Sequence, residues 1–165
     1  MCGICGFFYK NTEQPIDPGV LNRMVDTMVH RGPDERGIYL SQIGALGHRR
    51  LTIIDLVGGQ QPMELPNKQG VLIHNGEIYN YPEIRKNYLS DAQFSSSSDT
   101  EVLLHLLHQK GTDAIPFLNG MFVFAYWDIE NHKVIFARDP AGQKPLFFYF
   151  GSESFVFSSE LSSLV

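Results

Sequence analysis

Cysteine is scarce in this chain of 165 residues, with two thiols, at positions 2 and 5. A pair that close cannot staple a fold of this length, which excludes a disulfide-framed secreted module and points to the reducing cytoplasm. No apolar run approaches the roughly 20 residues of a helical membrane span, so no membrane partner is expected. The N-terminus lacks the basic start and apolar stretch of a signal peptide. Positive charge is also short: 13 Lys and Arg stand against 18 Asp and Glu, for a net charge of −5. That balance argues against nucleic acid as the main partner, because phosphate binding needs clustered cations. There is no internal repeat and no charged tail, and the one biased tract is Ser95-Ser96-Ser97-Ser98.

What is present fits a soluble domain with a proper core, at 43% hydrophobic and 19% charged residues. Residues 1–165 read as a single domain. Ile4–Tyr9 is apolar and aromatic and predicts a buried strand. Asp17-Pro18 opens a helix, with Asp as N-cap and Pro at the first turn, ending near His30. Strands are expected at Gly37–Leu40, Ala45–Arg49 and Val71–His74, and a helix at Pro82–Leu89. Ser98-Asp99-Thr100-Glu101 has capping-box spacing, which opens a helix to about Lys110 with Gly111 as its stop. Phe122–Ile129, Lys133–Arg138, Leu146–Phe150 and Ser154–Phe157 then predict antiparallel strands, with turns at Asn131-His132 and Gly151-Ser152. The pattern is α+β, antiparallel sheets with helices on their outer faces. Glu160–Val165 reads as the start of an amphipathic helix without a cap, as if the chain had been cut from a longer one.

Cys2 raises a chemical question. Structural zinc wants two separated Cys/His pairs, but one C-x-x-C stands here and the six histidines are scattered; no metal is expected. A redox C-x-x-C belongs at the start of a helix, whereas Gly-Ile-Cys-Gly-Phe-Phe-Tyr reads as strand. Cys5 is read as a small buried strand residue. Cys2 differs because aminopeptidases remove an initiator Met when the next side chain is small. It would then carry a thiol beside an α-amine whose pKa of about 7.7–8.0 lies near neutrality. One residue could supply both nucleophile and base.

Later motifs extend this reading over the whole chain: Cys2-Gly3-Ile4, Arg31-Gly32-Pro33-Asp34, His48-Arg49-Arg50-Leu51-Thr52-Ile53-Ile54-Asp55, and Gly59-Gln60-Gln61-Pro62-Met63. They continue as Asn75-Gly76-Glu77-Ile78-Tyr79-Asn80, Ser98-Asp99-Thr100-Glu101, Arg138-Asp139-Pro140-Ala141-Gly142-Gln143-Lys144-Pro145-Leu146 and Ser158-Ser159-Glu160. In order and number they resemble the glutaminase domain of glutamine-hydrolysing asparagine synthetases, class II glutamine amidotransferases of the N-terminal nucleophile superfamily. Arg-Gly-Pro-Asp resembles the asparagine-synthetase form of the motif. Two departures are His74, where the family more often has an apolar or aromatic residue, and Phe147, where Tyr is frequent.

The resemblance implies the four-layer αββα sandwich of N-terminal nucleophile hydrolases, built on two antiparallel sheets. It implies that Cys2 attacks the side-chain amide of L-glutamine, forms a thioester and releases ammonia. The Asn75 side-chain amide and the Gly76 N–H would bind the oxyanion. Taken alone, Asn-Gly is equally a hairpin turn. Arg50 would hold the glutamine carboxylate, Glu77 and Asp99 its α-ammonium, and Ile53 and Ile54 would offer backbone contacts. Arg31, Asp34, Arg138 and Asp139 would brace the loop around Cys2, and Arg49 reads as a solvated or structural salt bridge.

No cofactor is expected for this domain. ATP and Mg belong to a C-terminal synthetase domain whose Ser-Gly-Gly-x-Asp-Ser phosphate loop does not occur in these residues. That domain, normally in the same chain, is the expected partner besides glutamine, with homodimerisation through exposed apolar surface as an alternative.

Overall fold

The computed structural model describes residues 1–51 and 58–165. Twelve regular elements occur among them: β1 (Gly3–Tyr9), α1 (Pro18–Asp26), β2 (Glu35–Leu40), β3 (Gly44–Arg50), β4 (Met63–Glu64), β5 (Gly70–Ile78), α2 (Tyr81–Tyr88), α3 (Asp99–Lys110), β6 (Gly120–Asp128), β7 (Lys133–Arg138), β8 (Phe147–Phe150) and β9 (Ser154–Ser158). Every strand pairing is antiparallel, so the α+β expectation holds. No helix among the described residues is long and apolar enough to cross a membrane.

The chain divides into two compact units, Met1–Thr52 with Pro145–Val165, and Ile53–Lys144. The first unit carries a five-stranded sheet in the order β2-β3-β1-β9-β8. Its core forms where Leu21, Met24 and Val25 of α1 meet Cys5 and Phe7 of β1 and Ala45 of β3. The α1 residues recur at helical spacing while Cys5 and Phe7 alternate along the strand, so each element presents one apolar face to the other. The second unit holds the four-stranded sheet β4-β5-β6-β7. Val102, Leu103, Leu106 and Leu107 of α3 and Ile84 of α2 pack there with Leu72, Phe122, Phe124 and Tyr126.

Several boundaries differ from the sequence reading, each for a local reason. Helix α1 stops at Asp26, not near His30. The Thr27 hydroxyl donates to the Met24 carbonyl at 2.8 Å and contacts Ser163 Oγ at 2.5 Å, so the next residues leave the helix. The C-terminal stretch forms a 3-10 turn over Leu161–Ser163 rather than an α-helix, anchored through that Ser163 hydroxyl. The turn between β6 and β7 spans residues 129–132, with His132 at φ 51° and the Asp128 carboxylate accepting from both nitrogens of Asn131. The β8–β9 turn is centred one residue later than expected, because the Gly151 N–H donates to the Ser154 carbonyl. Strand β4 and a 3-10 segment at Gly111–Phe117 were not expected.

The largest difference is in β5, which runs to Ile78 rather than ending at His74. Asn75, Gly76 and Glu77 pair with Val123, Phe122 and Met121 of β6. The Asn-Gly pair is therefore part of a strand, and the hairpin-turn alternative falls.

Candidate functional site

The sequence-predicted residues divide between the units. In the first, Cys2 enters β1 half-buried, and its thiol is not in a disulfide. The Leu51 N–H donates to Cys2 Sγ at 3.4 Å, and the thiol faces the Leu51 carbonyl at 3.6 Å. Pairing of β1 with β3, Gly3 opposite Arg49, puts Leu51 there. Arg31 fixes the other side of the residue: its Nε donates to the Cys2 carbonyl at 3.0 Å and its Nη1 to Glu160 Oε1 at 2.7 Å. That hydrogen bond, more than the opposing burial, holds the Glu160 carboxyl below the usual carboxylate range.

The motifs around Cys2 thereby acquire physical causes. A Cβ on Gly32 would lie 2.4 Å from the Arg49 carbonyl carbon and 2.5 Å from the Arg50 nitrogen, so the Arg-Gly-Pro-Asp segment can rest on that peptide only as glycine. The Asp34 N–H then donates to the Arg50 carbonyl. Ser159 clamps β1 twice, its N–H to the Ile4 carbonyl at 2.8 Å and its Oγ accepting from the Ile4 N–H at 3.0 Å.

Arg49 is the structural salt bridge expected of it, with Nη2 2.8 Å from Asp26 Oδ1 and Nε donating to the Val25 carbonyl. Arg50 is buried, and its Nη1 lies 2.9 Å from Glu35 Oε2. Glu35 was missed by sequence reasoning. It stands opposite Arg50 in the β2–β3 register, which an alternating reading begun two residues earlier could have found. Ile53 and Ile54 lie outside the described residues.

The second unit collects Asn75, Gly76, Glu77 and Asp99. Asn75 is buried, and its side-chain Nδ2, a donor, has no hydrogen-bond partner among the described residues. A buried amide donor without an acceptor costs about 1–3 kcal/mol, so one facing a ligand position has a ready explanation in function. Gly76 sits at φ 149°, and a Cβ there would meet the Met121 carbonyl oxygen at 2.0 Å. Only glycine fits. Asp99, the first residue of α3, accepts the Ile78 N–H at 2.8 Å and is thereby tied to the end of β5. Ser98 caps α3 as the sequence predicts, accepting from the Glu101 N–H. Glu101 turns its carboxylate to Ser95 and Ser96 instead of closing the box.

His74 is buried beside these groups, with Nδ1 3.3 Å from Thr100 Oγ1. Burial lowers its pKa, the nearby Asp99 opposes this and Lys144 adds to it. Asp139 accepts from the N–H groups of Phe122 and Gln143, and Arg138 from its side chain bonds the Gly142 carbonyl. They brace the turn after β7. No group of three or more metal-ligating side chains occurs among the described residues.

Comparison with known proteins gives the family. Residues 1–165 match the family described as glutamine amidotransferase domain. The chain is 38% identical over 168 residues to glutamine-hydrolysing asparagine synthetase 3 of Bacillus subtilis (strain 168), covering all of this chain and 27% of that one. It is likewise 38% identical over 166 residues to asparagine synthetase B of Escherichia coli (strain K12), covering 30% of that protein. The chain thus spans about a third or less of these relatives. Among solved structures it is similar to the glutamine phosphoribosylpyrophosphate amidotransferase of B. subtilis, with a TM-score of 0.78 at 24% identity over 99% of this chain and 43% of that one. The fold is shared.

Proposed function

The chain belongs to the family of glutamine amidotransferase domains, and we propose that it hydrolyses the side-chain amide of L-glutamine through Cys2. The observation that carries the reading is the buried Asn75 Nδ2, without a partner among the described residues, on the strand that also bears Gly76. Amide hydrolysis builds negative charge on the former carbonyl oxygen, and fixed donors about 2.7–3.1 Å from that oxygen lower the barrier.

In this reading the α-amine of Cys2, freed by removal of the exposed Met1, takes the thiol proton as sulfur attacks the glutamine Cδ. The tetrahedral oxyanion is held by Asn75 Nδ2 and the Gly76 N–H. The proton passes to the departing nitrogen, the C–N bond breaks, and ammonia leaves a γ-glutamyl thioester. Water adds to the thioester, the C–S bond breaks, and glutamate departs with the thiol regenerated. Arg50 pairs with the glutamine α-carboxylate, bidentate geometry being available to its guanidinium, while Asp99 and Glu77 take the α-ammonium. The domain itself uses no metal or cofactor. Its ammonia passes to a synthetase domain that activates aspartate with ATP and Mg.

The test compares the chain with Cys2 as its first residue against one carrying a retained N-terminal extension. Glutamate release is expected from the first alone. Equal turnover from both would remove the α-amine mechanism.

A further inference from the structure

Among the described residues, the hydrogen-bonding edge of β5 that faces away from β6 is a ladder with one empty rung. Phe122 turns both its backbone groups to Asp139: its N–H donates to the Asp139 carboxylate at 3.2 Å and its carbonyl accepts the Asp139 N–H at 2.8 Å. Phe122 therefore offers nothing to Gly76, its partner in register. By antiparallel alternation, the amides of the even-numbered β5 residues point to the opposite edge. Three hydrogen bonds agree. The Gly70 carbonyl accepts from Leu65, the His74 N–H donates to Gln61 Oε1 at 2.6 Å, and the Ile78 N–H donates to Asp99 Oδ2 at 2.8 Å. Strand β4 covers the edge only as far as Leu72. Beyond it, side chains substitute for a strand at His74 and Ile78, leaving the Gly76 N–H between them.

We propose that Gln61 is a positioning residue that, with Asp99, defines this vacancy and so aims the Gly76 donor at the reacting oxygen. The proposal rests on the glutaminase reading above. Gln61 acts through the backbone: its acceptor fixes the peptide plane at His74, two residues before Gly76, as Asp99 fixes the plane two residues after it. Gln61 stands two residues before β4, so its side chain takes over along this edge where the strand pairing ends. A strand carrying the distorted φ of Gly76 has little reason to hold its donor in one direction unless both neighbouring rungs are tied. His74 is held twice, by Gln61 at its amide and by Thr100 at its ring, which joins the frame to the first turn of α3.

Two measurements on the full chain test this. The first uses the unmodified protein: amide hydrogen exchange resolved at His74, Gly76 and Ile78. In the ligand-free protein Gly76 should exchange faster than the other two. It should become protected when the γ-aldehyde analogue of glutamine is added, whose thiohemiacetal oxygen needs the same donors. A Gly76 amide as protected as its neighbours before any ligand is added would overturn the empty rung. The second measurement pairs Gln61→Met, which keeps the length and removes the acceptor, with Gln61→Glu, which keeps an acceptor. The Met variant should lose about tenfold or more in kcat, and affinity for the aldehyde should fall in step. KM for glutamine should change little, and the Glu variant should recover most of the kcat. Unchanged kcat in the Met variant, or a loss confined to KM, would overturn the role of Gln61. The glutaminase reading fails separately, if the unmodified chain releases no glutamate from glutamine; the ligand-free exchange pattern still decides whether the rung is empty.

Discussion

The Nε of Arg31 donates to the backbone carbonyl of Cys2 at 3.0 Å while the same guanidinium pairs with Glu160 at 2.7 Å. A buried cation thus ties the residue before β1 to the segment that follows β9. Arg31→Ala should lower glutamine turnover by loosening Cys2 and should also destabilise the unit by about 2 kcal/mol, the usual scale for charge-assisted bonds. Arg31→Lys should recover part of the stability but little of the turnover, because an ammonium lacks the planar fork that serves both acceptors at once. Denaturant titration beside a glutaminase assay checks this. Turnover restored in full by Lys would show that charge alone suffices.

The two cysteines should behave as chemical opposites. Cys5 is fully buried against α1, and burial pushes its thiol pKa far up. Cys2 is half-buried at the chain's start. A thiol alkylating reagent should therefore add one label per native chain, at Cys2, and two in denaturant, by mass spectrometry. Cys2→Ala should abolish hydrolysis and preserve glutamine binding. Cys5→Ser should keep turnover while losing about 1–3 kcal/mol of stability, since its hydroxyl enters an apolar site.

Asn75 and Arg50 should separate rate from binding. Asn75→Ala should lower kcat by about 10²–10³, the scale of one lost oxyanion donor. Its stability should fall little, because the native Nδ2 has no partner to lose among the described residues. Arg50→Ala should chiefly raise KM, because a carboxylate is gripped equally before and during reaction. It also strands Glu35, so Glu35→Gln is the needed control: the double variant separates the lost ion pair from the lost substrate contact. A kcat effect at Arg50 and a KM effect at Asn75 would exchange their roles.

How much of this the sequence disclosed depends on the range of each interaction. The cap at Ser98 and the turn glycine at Gly111 were legible because they are local. Asn75-Gly76 was ambiguous because the dipeptide serves both turns and strands, and only pairing with β6, more than forty residues away, decides between them. The ties from Arg31 to Glu160 and from Gln61 to His74 could not be read from periodicity, since Arg31, Glu160 and Gln61 lie outside the strands and helices. Glu101 illustrates a local signal half right. Its backbone takes the cap, but its carboxylate prefers the serines of the tract before it.

That carboxylate makes a prediction about acid stability. Burial alone would raise the Glu101 pKa, but the N–H and hydroxyl groups of Ser95 and Ser96, at 2.6–2.9 Å, outweigh it and leave the value below the ordinary 4.5. A carboxyl with a depressed folded-state pKa contributes stability that is complete above its unfolded value and is lost as pH falls through the folded one. Thermal melts of the unmodified chain should therefore show stability falling below about pH 4.5. Glu101→Gln should be less stable at neutral pH, having exchanged charge-assisted bonds for weaker ones, and should lose less on acidification. The two melting curves converge at low pH if Glu101 carries the effect. A constant gap between them from pH 7 to pH 3 would mean that the Glu101 carboxylate is not what the serine tract is built to hold.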